Sequence, residues 1–179
     1  MTSAPGIGTA DEDPKNLAEA SARSDWLEWK KAMDGELTLM AKYNVWDEVD
    51  KLEDMNIIGC RWVFCIKCDS SRKILKYCAR LAAQGFTQLY GIDFYETFAP
   101  VARLSSICTI IALVVSENWE LHQMDIKLAY LNSPIDTATY MHLPPGYSQD
   151  GKVALVKKGI YGLRQSGNLW HKTLTVTFS

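Results

Sequence analysis

Asp125 stands near the end of the apolar run Trp119 to Ile126, where a carboxylate offers hard oxygen ligands to a divalent cation. Taken alone, an Asp at a strand end more often caps or turns the chain. Five cysteines (Cys60, Cys65, Cys68, Cys78 and Cys108) form the second candidate group, four of them close together. The Cys65-x-x-Cys68 pair is flanked by Cys60 and Cys78, but these two are not a second close pair and no histidine lies nearby. Reduced thiols are therefore the expectation, ahead of a zinc site or a disulfide framework.

Cations make the third group. The net charge of −2 conceals segregation, because acids predominate before Cys60 while Arg61, Lys67, Arg72, Lys73, Lys76 and Arg80 follow it against Asp69 alone. From Gly151 onward Lys152, Lys157, Lys158, Arg164 and Lys172 meet no acid. Two basic patches on a mildly acidic chain can neutralise phosphates, and charge alone fits a solvated hairpin face equally well.

These groups need elements to hold them. With 179 residues and 47% hydrophobic residues, the chain is large enough for one domain with its own core. No apolar run is long enough to span a bilayer and residues 1–14 lack the pattern of a secretory signal, so an intracellular protein with no membrane partner is expected, in cytoplasm or nucleus. Residues 1–14 read as a flexible lead. Leu17, Ala20, Trp26, Trp29, Met33, Leu37 and Met40 recur at helical spacing, Asn44 stops that helix, and residues 45–49 alternate as a strand. Residues 57–67 and 74–83 read as a hairpin turning at 69–72, and residues 84–100 as a loop. A helix capped by Ser105 or Ser106 carries the stripe Ile107, Ile110, Ile111, Val114 and Val115. Residues 119–126 read as a core strand and 127–131 as a helical turn. A proline-bearing loop, a strand near 153–156 and a helix beginning within 161–174 complete the chain. Mixed elements without regular alternation predict an α+β fold.

Several stretches read together resemble copia-type reverse transcriptases. Lys76-Tyr77-Cys78-Ala79-Arg80-Leu81-Ala82-Ala83-Gln84-Gly85-Phe86-Thr87-Gln88, then Tyr90-Gly91-Ile92-Asp93-Phe94 and Glu96-Thr97-Phe98-Ala99-Pro100-Val101-Ala102-Arg103, are similar to the family's fingers segment. His122-Gln123-Met124-Asp125-Ile126-Lys127-Leu128-Ala129-Tyr130-Leu131-Asn132 resembles its first catalytic motif, and Pro144-Pro145-Gly146-Tyr147 and Tyr161-Gly162-Leu163-Arg164-Gln165-Ser166-Gly167 follow in the family's order. The likeness runs from about Asp13 to Trp170, far more specific than one short signature.

The resemblance implies an RNA-directed DNA polymerase of right-hand shape, with a fingers hairpin at about 57–83 and part of a palm at about 101–179. Such chemistry uses two divalent ions about 4 Å apart, here magnesium, held by converging carboxylates. It assigns Asp125 as catalytic residue and metal ligand, assisted by the Ile126 carbonyl. Arg80 would clamp the triphosphate, Tyr130 would lie below the sugar, and Gln165 and Ser166 would line the nucleotide side. Lys76 and Arg164 would meet a nucleic-acid template-primer.

The sequence also departs from the family. The remaining catalytic acids form an adjacent Asp-Asp pair in the family, and no such dipeptide exists here. Cys78, Ala82, Leu128 and Asn168 replace a lysine, a larger aliphatic, a small polar residue and a basic residue, and residues 171–179 leave the expected continuation. The expectation is a truncated polymerase domain, inactive and poor at holding magnesium unless a second polypeptide completes the palm. Two alternatives stay open: a host-retained nucleic-acid-binding module, and a transposon remnant without stable fold.

Overall fold

The structure is a computed structural model and describes residues 13–53, 55–147 and 150–178. It is α+β, with the order α1 (Leu17–Ser21), α2 (Trp26–Lys42), β1 (Trp46–Asp50), β2 (Ile57–Ile58), β3 (Cys60–Cys68), β4 (Ile74–Ala83), α3 (Leu104–Ser116), β5 (Pro134–Met141), β6 (Lys152–Lys158) and α4 (Ser166–Phe178). Single 3-10 turns occur at Gly85–Thr87 and Ala129–Asn132. The strands form a four-stranded sheet of order β1-β6-β5-β2 and a separate β3-β4 hairpin. In the larger sheet only β2 and β5 run parallel.

The expected first helix is two helices. Asn16 caps α1 by accepting the Glu19 N–H at 2.9 Å, while the Glu19 carboxylate accepts the Lys15 N–H at 3.0 Å. α2 ends as its sequence foretold: Asn44 takes the left-handed conformation at φ 53°, and the Val45 N–H returns to the Met40 carbonyl at 3.0 Å. The apolar face of α2 lies on the hairpin. Trp29 is fully buried, edge-on to Phe64 at 5.2 Å and to Tyr77 at 4.8 Å. Met33, Met40, Val45, Ile58, Trp62, Leu81, Met141 and Ile160 extend this core between hairpin and sheet.

Three expectations about elements are corrected. Residues 57 and 58 leave the hairpin for the larger sheet, and the crossing is at Gly59, where a Cβ would stand 2.1 Å from the Gln84 carboxamide oxygen. The proline-bearing loop contains β5. Its inward positions include Thr137 and Thr139, and polar inward residues hide a strand's alternation; Pro134 is tolerated as its first residue. Residues 119–126 form no strand, because among the described residues no neighbour supplies a hydrogen-bond ladder, and Trp119, Leu121 and Met124 are exposed.

The helix α3 does form, but Arg103 rather than a serine is its N-cap, without a side-chain bond. Its stripe of Ile107, Ile110 and Ile111 buries nothing among the described residues. Of the expected lead, residues 1–12 lie outside the described residues. Asp13 is tied to β3, accepting the Ile66 N–H at 2.7 Å, and Pro14 is buried.

Candidate nucleotide and nucleic-acid interface

The β3-β4 register sorts the basic segment by face. Arg61, Val63, Cys65 and Lys67 stand opposite Ala82, Arg80, Cys78 and Lys76, while Trp62, Phe64, Ala79 and Leu81 turn to the core. Lys67 directly faces Lys76, and both are exposed on the face that carries Arg61 and Arg80. Like charges placed opposite one another destabilise a hairpin and favour an anion laid across them. The tip is built by Asp69, whose carboxylate accepts the Ser71 and Lys73 N–H groups at 2.8 and 2.9 Å while Arg72 takes φ 61°.

Arg80 and Tyr130 meet in one cavity of about 260 Å³, whose walls include Glu36, Leu128, Ala129 and Tyr161. Tyr130 is half-buried on the second 3-10 turn, which begins where Leu128 takes the left-handed conformation at φ 56° and ψ 37°. That conformation is strained for a branched side chain, and the Leu128 carbonyl is secured by the Leu131 N–H at 3.0 Å and the Asn132 amide at 3.2 Å. Beside it an adjoining cavity of about 370 Å³ is bordered by Lys31, Lys67, Lys76 and Arg80, and shares Glu36 and Leu128. Lys76 and Arg80 therefore border the same cavity between hairpin and α2, together with Lys31, Lys67 and Glu36.

Asp125 is not brought there. It and Ile126 lie on the exposed stretch before the 3-10 turn, and neither lines these two cavities. Among the described residues no three His, Cys, Asp or Glu side chains gather as a metal would need. A two-ion centre requires converging carboxylates, so the residues present do not fit it.

Gln165 and Ser166, expected to line a nucleotide, are 1% and 2% exposed and turned inward. The Gln165 carboxamide donates to the Asp93 carbonyl at 2.9 Å and accepts from Gln88 at 3.0 Å; the Ser166 hydroxyl donates to the Ile160 carbonyl at 2.7 Å. Arg164, expected at the template-primer, stands in the turn before α4. Its Nε donates to the Gly85 carbonyl at 2.8 Å, and its guanidinium lies 5.4 Å from the centre of the Phe94 ring.

Sequence reasoning missed three residues. Asp93 is 1% exposed, and its carboxylate accepts the Leu89 N–H at 2.8 Å and the Asn56 amide. Its carbonyl also receives the Thr137 hydroxyl at 2.7 Å. Gln88 joins this network by accepting the Arg164 N–H at 2.9 Å. Both lay inside quoted motifs, but nothing local to a turn announces burial. Glu36 had no signal beyond its place on the half-buried side of α2. Burial raises its carboxyl above the usual range, against the Leu81 backbone N–H and Arg80, which lower it. Cys60 is buried too, and its thiol is pushed up to about 11 while its Sγ lies 3.2 Å from the His142 carbonyl.

The described residues thus combine a hairpin face bearing Arg61, Lys67, Lys76 and Arg80 with a cavity lined by Arg80 and Tyr130. Residues 43–179 match the reverse transcriptase (RNA-dependent DNA polymerase) family, and the chain belongs to it, in its copia-type retrotransposon branch. It is 35% identical over 164 residues to the retrovirus-related Pol polyprotein from transposon TNT 1-94 of Nicotiana tabacum, covering 90% of this chain and 12% of that protein. Against the Pol polyprotein from transposon RE2 of Arabidopsis thaliana it is 32% identical over 169 residues, covering 92% of this chain and 11% of the other. The truncated transposon Ty1-A Gag-Pol polyprotein of Saccharomyces cerevisiae is 29% identical over 146 residues, 78% of this chain and 12% of that one. The chain thus spans about an eighth of the length of these relatives. No solved structure matches it. No helix among the described residues is long and apolar enough to cross a membrane.

Proposed function

We propose that this chain is the fingers and partial palm of a right-hand reverse transcriptase, and that it binds the triphosphate and sugar of a nucleotide without completing phosphodiester synthesis by itself. The observation that carries the reading is the meeting of Arg80 with Tyr130 in one cavity, from segments far apart in the sequence. A guanidinium holds phosphate oxygens in a two-pronged fork, and a tyrosine ring gives a sugar a flat apolar floor. Gln165 and Ser166 act here as supports, holding the loop after β4 and the start of α4 in place. Asp125 is the committed carboxylate, with the Ile126 carbonyl beside it, and magnesium is the family's expected ion. One carboxylate on an exposed stretch is not a two-ion site, so no catalytic step is derived through the metal. Further carboxylates would have to converge on Asp125 to complete a two-ion site, and none does among the described residues.

Two measurements test this. Calorimetric titration with a deoxynucleoside triphosphate should show binding that weakens at least several-fold in Arg80→Ala and in Tyr130→Ala. Template-dependent primer extension with magnesium, abolished by Asp125→Ala, would overturn the incapacity of the isolated chain.

The second reading, a nucleic-acid-binding module, is favoured by the opposed Lys67 and Lys76 on the solvent face of the hairpin. Template-primer binding by that face should weaken steeply as salt rises. No binding at low salt would remove it.

A further inference from the structure

Cys65 and Cys78 stand directly opposite each other across the β3-β4 hairpin, between the Val63-Arg80 pair and the Lys67-Lys76 pair. Both are free thiols; Cys65 is exposed and Cys78 half-buried. The backbone fixes how they oppose. The Ile66 N–H leaves the hairpin for Asp13 and the Ala83 N–H leaves it for the Tyr161 carbonyl. Outward groups of an antiparallel pair recur at every second residue, so Cys65 and Cys78 form a hydrogen-bonded pair, with Cα atoms about 5.5 Å apart. A disulfide spans Cα separations of about 4.4–6.8 Å, which puts the pair within reach of one. Cβ atoms in such pairs are about 4.5–5.5 Å apart against about 3.5–4.5 Å in a disulfide, so the strands must draw together and the bond stays reducible.

The remaining cysteines do not compete. Cys68 is three residues along the same strand, about 10 Å from Cys65 and beyond that reach. Cys60 is buried on the core face of the hairpin, and Cys108 is on α3. The family's motif has a lysine where Cys78 stands, so the pair belongs to this chain and not to that motif.

We propose that Cys65 and Cys78 are a reversible thiol site, closed by a low-molecular-weight disulfide into a cross-strand staple on the cationic face of the hairpin. The Cys65 thiolate attacks the oxidant's disulfide, forming a mixed disulfide and releasing one small thiol. The Cys78 thiolate then attacks the Cys65 Sγ and expels the second. Two protein thiols give up two electrons and two protons, and one small disulfide becomes two thiols. Desolvation, Asp13 and Cys78 raise the Cys65 thiol above its ordinary range while Lys67 and Arg80 oppose the rise, so the first attack draws on a small thiolate fraction at neutral pH. The staple forms whether or not the neighbouring cavity takes a nucleotide.

The test incubates the folded chain with oxidised glutathione at mildly alkaline pH, counts its free thiols and maps its peptides by mass spectrometry. Two of the five thiols should be lost with no glutathione retained and Cys65 joined to Cys78, and dithiothreitol should restore all five. Cys78→Ser should instead keep one glutathione on Cys65. In urea the unaltered chain should close this link at least several-fold more slowly, because the register no longer holds the thiols opposed. A link from Cys65 to Cys60 or Cys68, a lasting mixed disulfide on the unaltered chain, or an equal rate in urea overturns the proposal. The urea comparison decides it even if Cys78→Ser does not fold.

Discussion

Gln88 donates its carboxamide N–H to the Gln165 carbonyl oxygen at 3.0 Å, inside the protein and between segments on either side of α3 and β5. Gln165 passes the connection on to the Asp93 carbonyl. One buried amide thus joins the loop after β4 to the start of α4. Gln165→Ala strands the Gln88 amide and removes a donor from Asp93, and is expected to destabilise the fold by about 2–3 kcal/mol. Urea unfolding should show the midpoint falling with little change in slope.

Gly162 has φ +93°, and a Cβ there would sit 2.2 Å from the Ala83 carbonyl oxygen. The clash is with backbone, which cannot move aside without breaking the Ala83 N–H bond to the Tyr161 carbonyl at 2.8 Å. Gly162→Ala should cost about 3 kcal/mol or more, checked by thermal melting.

The raised carboxyl of Glu36 fixes the sign of a pH effect. An acid whose folded pKa lies above its unfolded value contributes stability below the unfolded value, and that contribution is lost as pH rises through the folded one. Glu36→Gln should therefore be more stable than the unaltered chain at neutral pH, with the difference shrinking as pH falls towards the carboxylate range. Denaturant midpoints across that span test it, and an advantage that grows on acidification would contradict the assigned burial.

Lys76→Ala relieves the charge opposing Lys67. Hairpin stability should rise by about 0.2–1 kcal/mol while affinity for a template-primer falls and the slope of its salt dependence drops by about one ion. Melting and binding thus move in opposite directions, which a purely structural lysine would not produce.

The elements most legible in the sequence were those specified by neighbours along the chain. Asn44 ended α2 because asparagine accepts the left-handed conformation, and β3 and β4 were legible because alternating Trp62, Phe64, Ala79 and Leu81 bracket a turn rich in polar residues. β5 was illegible because its inward threonines are satisfied by the carbonyl of Asp93, distant in sequence. The apolar run around Asp125 read as a strand, yet a strand needs a partner, and local hydrophobicity cannot say whether one is there.

What the sequence determined by itself was the family, from motifs kept in order, and the residue types that phosphate chemistry requires. Only the tertiary structure decided which of them meet. It put Arg80, Tyr130 and Glu36 on the wall of one cavity, turned Gln165 and Ser166 inward and left Asp125 exposed. The physical reason is that a motif specifies identity and spacing along a chain, whereas burial and proximity depend on how separate segments satisfy one another's backbone groups and apolar faces.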